Sequence, residues 1–224
     1  MCFSATASFT AGAALVAVGT VTVHRSQGRT ERPLALVPLL FGVQQISEGV
    51  LWLTLSRDLP VLQMLATNIF SFFSHAFWPI FVPLAILLVE TNRRRRQALT
   101  IFIGLGLLVG LYLLFFLFRE PLTASVQGRS IVYDSAHFYL SAVLVLYLLA
   151  TCVSGLFSSH RCINVFDLLA FVLAVAAYLV SARTFVSVWC FFAAALSGLI
   201  LIHFSGSMRD SRQGLEQARV EVRT

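Results

Sequence analysis

Lysine is missing altogether, and charge of either sign is scarce. All 16 basic residues are Arg, only 12% of the 224 residues are charged, and 58% are hydrophobic. Soluble domains carry about 25% charged residues. A chain this poor in charge cannot cover its apolar surface in water, which excludes an ordinary soluble domain. The first 24 residues hold no Asp, Glu, Lys or Arg. The basic region that precedes the apolar stretch of a cleavable signal peptide is therefore missing, and the first apolar segment is expected to stay as a helix. Cysteine is sparse: Cys2, Cys152, Cys162 and Cys190 do not have the spacing of a zinc motif. The net charge of +6 does not point to nucleic acid, because the arginines sit between apolar runs. There they act as topology signals. No internal repeat suggests an inverted-repeat transporter.

What is present is a series of long apolar runs. Spans are expected over residues 5–24, 33–55, 61–90, 98–118, 135–156, 163–179 and 185–204. The expected fold is all-α: a polytopic seven-transmembrane-helix bundle over residues 1–206, followed by a polar tail over 207–224. Placing the amino terminus outside puts twelve arginines in inner segments and four in outer ones. That bias orients the carboxyl terminus to the cytoplasm of a cell with an inner membrane. In the first span Ser4, Ser8, Gly12 and Gly19 recur at helical spacing, as in close helix pairs in lipid. Pro79 and Pro83 are expected to kink the third span. The fourth reads as lipid-facing.

Ionisable groups inside spans are costly and mark bundle interiors. In the second span Gln44, Gln45, Glu48 and Trp52 fall within about two turns, and Glu48 lies about 10 Å below the outer end of its helix. A carboxyl at that depth is either protonated or paired. Asn68, Ser71, His75 and Trp78 follow one face of the third span. Asp134, His137 and Ser141 are expected to line the start of the fifth helix, with Asp134 as its amino-terminal cap. Trp189 and Cys190 lie near the outer end of the seventh. Cys2 falls at the same level, so the two thiols meet only if the first and seventh helices pack together. In the inner half, Asp167 is expected to pair with Arg161, and Glu90 to sit solvated at a helix end.

The opening Met1-Cys2-Phe3-Ser4-Ala5, the second-span run from Phe41 through Gln44, Gln45 and Glu48 to Gly49, His75-Ala76-Phe77-Trp78-Pro79, and Ser187-Val188-Trp189-Cys190-Phe191-Phe192 together form a distinctive set. The chain resembles a family of bacterial seven-helix membrane proteins that carries only a domain-of-unknown-function label. That resemblance implies a seven-helix membrane fold and brings no established activity with it. A looser similarity, in size, span number and a carboxyl inside the membrane, is to the small membrane-bound meroterpenoid cyclases. Seven-helix zinc-dependent lipid hydrolases fit less well, because no late span carries a His-x-x-x-His pair.

Two functions follow as expectations. The first is an intramembrane acid–base enzyme on a lipid-like or isoprenoid substrate. Glu48 would be the acid and His75 its partner, while Gln44, Gln45, Asn68 and Ser71 orient them. Trp52, Trp78, His137 and Trp189 would bind the substrate. The second is a protein that binds or transports a small ligand, metal or haem in the same cavity. Cys2, His75 and Cys190 are the nearest to metal ligands by type, but no spacing brings them together. The sequence names no cofactor. Glu48 and His75 are expected to share one polar cavity, with Asn68 and Ser71 close by.

Overall fold

The computed structural model describes residues 4–57, 59–120 and 122–205. The chain runs α1 (Ala5–Arg25), α2 (Arg32–Leu55), α3 (Pro60–Val89), α4 (Arg93–Arg119), β1 (Thr123–Gln127), β2 (Ser130–Asp134), α5 (Ser141–Phe157), α6 (Arg161–Val180) and α7 (Phe185–Ser205). Six of the seven helices are long and apolar enough to cross a membrane, and α5 is shorter. This is a multi-pass helical membrane protein. One end of the bundle carries the arginine-rich turns and the other carries the β-hairpin. The polar tail lies outside the described residues.

Local signals set the helix starts. The Ser4 hydroxyl accepts from the Ala7 N–H, and the Asn92 side chain accepts from Arg94 and Arg95. Pro33 and Pro60 occupy first-turn positions that have no N–H to lose. Helix α2 is the centre of the bundle, packed against α1, α3 and α7. Its seam with α1 is the small-residue face read from the sequence. A Cβ on Gly12 would lie 3.1 Å from the Gly42 carbonyl oxygen, and one on Gly19 would lie 2.4 Å from Leu39 N.

Helix α3 is broken in its middle. Pro79 cannot donate to the His75 carbonyl, nor Pro83 to the Pro79 carbonyl. Residues Phe72–Phe77 widen into a π turn, where the Trp78 N–H reaches back to the Phe73 carbonyl. The exposed backbone is then covered. The Tyr147 hydroxyl of α5 donates to the Ser74 carbonyl at 2.5 Å. Helix α4 lies directly on the kink through Gly106 and Gly110. A Cβ on Gly106 would sit 1.8 Å from the Pro79 carbonyl oxygen, and one on Gly110 would sit 2.8 Å from that of Ala76. The opposite face of α4 points outward with Ile101, Leu108, Leu111, Phe115 and Phe118 exposed, as on a lipid-facing helix, while Leu99, Val109 and Leu113 are buried.

The fifth span departs from the expectation. Residues 123–134 form the hairpin, and α5 begins only at Ser141. Asp134 therefore ends a strand and caps no helix. Gly128, with φ of +64°, opens the two-residue turn. Ala124, Ile131 and Tyr133 turn inward, and the Tyr133 ring stacks on Phe70 with centroids 4.5 Å apart. Helix α5 finishes in π and 3-10 turns, Leu149–Val153 and Ser154–Phe157. Asp167 holds that end by accepting the Gly155 N–H at 2.6 Å, and this takes the place of the expected Arg161 pair.

At the arginine end Glu90 is buried and is not the solvated group expected. Its carboxylate accepts from the Asn92 N–H at 2.8 Å, the Ser159 N–H at 2.6 Å and the Ser159 hydroxyl at 2.8 Å. It thus ties the α3–α4 turn to the α5–α6 turn. Arg96 donates to the Leu87 and Glu90 carbonyls, and Arg95 to the Ser158 carbonyl. The arginine run is a structural knot as well as a charge signal. Burial pushes the Glu90 pKa up, but the hydrogen bonds outweigh it and hold the group below the usual carboxylate range.

Two outcomes are expected. Gly106→Ala should cost about 1–3 kcal/mol, read as a lower unfolding midpoint in detergent. Gly104→Ala, where a Cβ meets nothing within 4 Å, should cost nothing. Equal effects at the two positions would contradict the seam. Because the folded pKa of Glu90 is lowered, its stabilisation is complete above about pH 4.5 and is lost as pH falls further. Thermal melts of Glu90→Gln should therefore lose the acid-side decline that this residue contributes to the wild type.

Candidate functional site

The polar residues singled out in the sequence separate into two clusters. The first surrounds Glu48 and is sealed. Gln44, Gln45 and Glu48 on α2 are each no more than 1% exposed. The Ser187 hydroxyl of α7 donates to Glu48 Oε1 at 2.6 Å. No cation pairs with Glu48 among the described residues. The hairpin brings the Tyr133 phenol beside the same carboxyl, as α2 brings the Gln45 amide. Neither the Tyr133 hydroxyl nor either Gln45 amide atom makes a hydrogen bond of good geometry. Gln44 accepts from Trp78 Nε1 at 2.7 Å, which fixes an indole stacked 3.9 Å from Phe41. Trp189 donates from Nε1 to the Ala170 carbonyl at 3.0 Å. Trp78, Trp189, Tyr147 and Cys190 wall a small apolar pocket of about 20 Å³, room for roughly one water.

The second cluster is open. A cavity of about 310 Å³ lies at the hairpin end, between α4 and the segments flanking the hairpin. His75 lies on its wall, supplied by the π turn. The ring is 2% exposed and packs 4.7 Å from Phe138. Nδ1 is engaged by the Ser74 hydroxyl at 2.8 Å, and Nε2 has no hydrogen-bond partner. Glu120, at the end of α4, lines the cavity with Asp134 and His137. His137 Nε2 lies 3.4 Å from Glu120 Oε2, its Nδ1 lies 3.1 Å from the Tyr112 hydroxyl, and its ring stacks on Phe116. Leu113, Phe116, Leu117 and Leu122 form the apolar wall.

The structure thus brings His75 together with His137, and Glu48 is not among the residues lining their cavity. Asn68 is exposed and belongs to neither cluster, because the buried face of this part of α3 runs through Ala66, Thr67, Phe70 and Ser71 and Asn68 lies beside it. Ser71 is fully buried, with its hydroxyl unpartnered. Trp52 is half-buried and packs on the hairpin-end core. Cys190 is buried and α7 does touch α1, whereas Cys2 lies outside the described residues. No group of three His, Cys, Asp or Glu side chains able to hold a metal occurs among the described residues.

Sequence reasoning missed Tyr133, Glu120 and Ser187 as site residues. The alternation of Ile131 and Tyr133 after Gly128 was the signal for the hairpin, and a short alternating run is faint between apolar spans. Glu120 and Ser187 carried no local pattern and meet the clusters only through packing.

No curated protein and no solved structure matches the chain. One family model does, over residues 1–216, and its extent is that of the bundle with part of the tail. The protein belongs to the family of unknown function DUF6629.

Proposed function

We propose that this is a membrane-embedded small-molecule binding protein whose site is the hairpin-end cavity. The observation that carries the reading is His75, held by Ser74 through one ring nitrogen, with the other unpartnered, on the wall of a cavity of about 310 Å³. Ligand sites run from about 300 to 1,000 Å³ and combine apolar walls with a few polar groups. Leu113, Phe116, Leu117 and Leu122 against His75, His137, Glu120 and Asp134 make such a mixture. A π turn in mid-helix is also a frequent device at functional sites. The His137–Glu120 pair gives the site polar groups within reach of a ligand. We further propose seven crossings, with the arginine end in the cytoplasm, on the strength of the arginine bias.

A second reading rests on the Glu48 cluster. An unpaired carboxyl, flanked by an unsatisfied amide and phenol beside a tryptophan-walled pocket, has the parts of an intramembrane acid acting on an isoprenoid-like substrate. The pocket of about 20 Å³ would have to expand to admit one.

A fragment screen by thermal shift in detergent tests the first reading. Leu113→Trp fills the cavity from α4. Saturating fragments should stabilise the wild type by about 2–3 kcal/mol at a hundredfold excess over Kd and leave Leu113→Trp unmoved. Hits that stabilise both proteins equally would overturn the reading. Under the second reading, Glu48→Gln abolishes turnover of a lipid-like substrate while the melting point and fragment binding persist. Loss of fragment binding in Glu48→Gln would mean that the two clusters are not separate. For the topology, an alkaline phosphatase fusion after Thr224 should be inactive and a fluorescent-protein fusion bright; the reverse would exclude the proposed orientation.

A further inference from the structure

We propose that the hairpin-end cavity selects an amphiphilic organic cation, a primary or secondary amine on a short aryl or alkyl tail. The inference rests on the small-molecule reading and adds the chemistry of the ligand. Two carboxyl side chains, Glu120 and Asp134, line the cavity, and no Arg is among its lining residues. The nearest arginine in sequence, Arg119, is turned away, with its guanidinium 5.8 Å over the ring of the outward-facing Phe115. Glu120 has His137 at 3.4 Å, and that ring is itself fixed by Tyr112 and Phe116. The Asp134 carboxylate has no ion-pair partner among the described residues. Acidic groups alone would not make a site. Here they share a cavity with His75, a buried side chain with one ring nitrogen unpartnered.

The placement of these groups fits one ligand shape. Leu113, Phe116 and Leu117 follow i, i+3, i+4 spacing within about one turn of α4, so they present an apolar strip that runs up to Glu120. A hydrocarbon or aryl tail lies along the strip, and its ammonium reaches the carboxylates. Hydrogen bonds to ionised partners are about twice as strong as neutral ones, and they repay desolvation of the cation. An anion of the same shape would meet two like charges, and a neutral alcohol would gain only ordinary hydrogen bonds.

Three probes of one shape separate these cases: phenethylamine, 2-phenylethanol and phenylacetate. Binding is measured by isothermal titration calorimetry on the full chain in detergent, with Leu113→Trp as the blank for micelle partitioning. The amine should bind at least about tenfold more tightly than either analogue, the margin expected of a charge-assisted hydrogen bond. Glu120→Gln with Asp134→Asn, checked for an unchanged melting point, should remove about that factor for the amine and leave the alcohol unaffected. Should the alcohol or the acid bind as tightly as the amine, the cation inference fails while the cavity reading stands. If no probe binds but the fragment screen finds other cavity ligands, the cation inference again fails alone. If neither experiment finds a cavity ligand, both fall together.

Discussion

Inside a bilayer each backbone polar group must find its partner within the protein, and α3 violates that condition twice in its own sequence. Pro79 and Pro83 leave the His75 and Pro79 carbonyls without their usual donors. Much of the surrounding architecture answers this gap. The turn widens over Phe72–Phe77, Tyr147 reaches across from α5 to Ser74, and α4 is drawn close enough that only glycine fits against the Pro79 carbonyl. The close approach of α4 then decides where its last turn ends. Glu120, Phe116 and Leu117 arrive beside the hairpin and His75, and the cavity is the space left between them. A backbone defect in one helix is thus connected, through packing, to a large polar opening at the hairpin end.

The two polar clusters represent different solutions to keeping polarity in lipid. Around Glu48 the side chains are tightly enclosed, with one strong hydrogen bond from Ser187 and several groups left short of partners. An unsatisfied buried group costs about 1–3 kcal/mol, so this cluster is under tension that other packing must offset. The α1–α2 glycine seam and the aromatic stack of Phe41 on Trp78 provide such packing. At the hairpin end part of the polarity has somewhere to go. His75 is buried on the cavity wall, while His137 and Glu120 on the same wall reach the surface.

The sequence made the membrane-spanning helices legible because apolar runs of this length have no other stable use. The small-residue face of α1, the irregular backbone ahead of Pro79 in α3 and the lipid-facing character of α4 were equally readable, since each depends on residues within one helix. Glu48 and His75 stood out for the same reason: they are ionisable groups in apolar runs. What was not legible depends on two elements meeting. A face through Asn68, Ser71 and His75 fits the spacing, but the side of α3 that packs inward runs through Ala66, Thr67, Phe70 and Ser71, which leaves Asn68 outside. The fifth span is expected from Ser135 and begins at Ser141, because Phe138, Tyr139 and Leu140 extend the apolar run although they precede the helix. Glu90 looked like a solvated helix end because Ser159, which buries it, is far along the chain.

Everything proposed of the site depends on the open volume between the last turns of α4 and the segments flanking the hairpin, with His75 on its wall. Thiol accessibility tests it most directly. Leu113 and Val109 lie one turn apart on α4 and are equally buried at 2% exposure, but only Leu113 is on the cavity wall. In a background without the native cysteines, Leu113→Cys should react readily with 2-aminoethyl methanethiosulfonate, and Val109→Cys should stay inert. Equal reactivity at the two positions, or a Leu113→Cys thiol as unreactive as a core residue in a folded protein, would contradict the account.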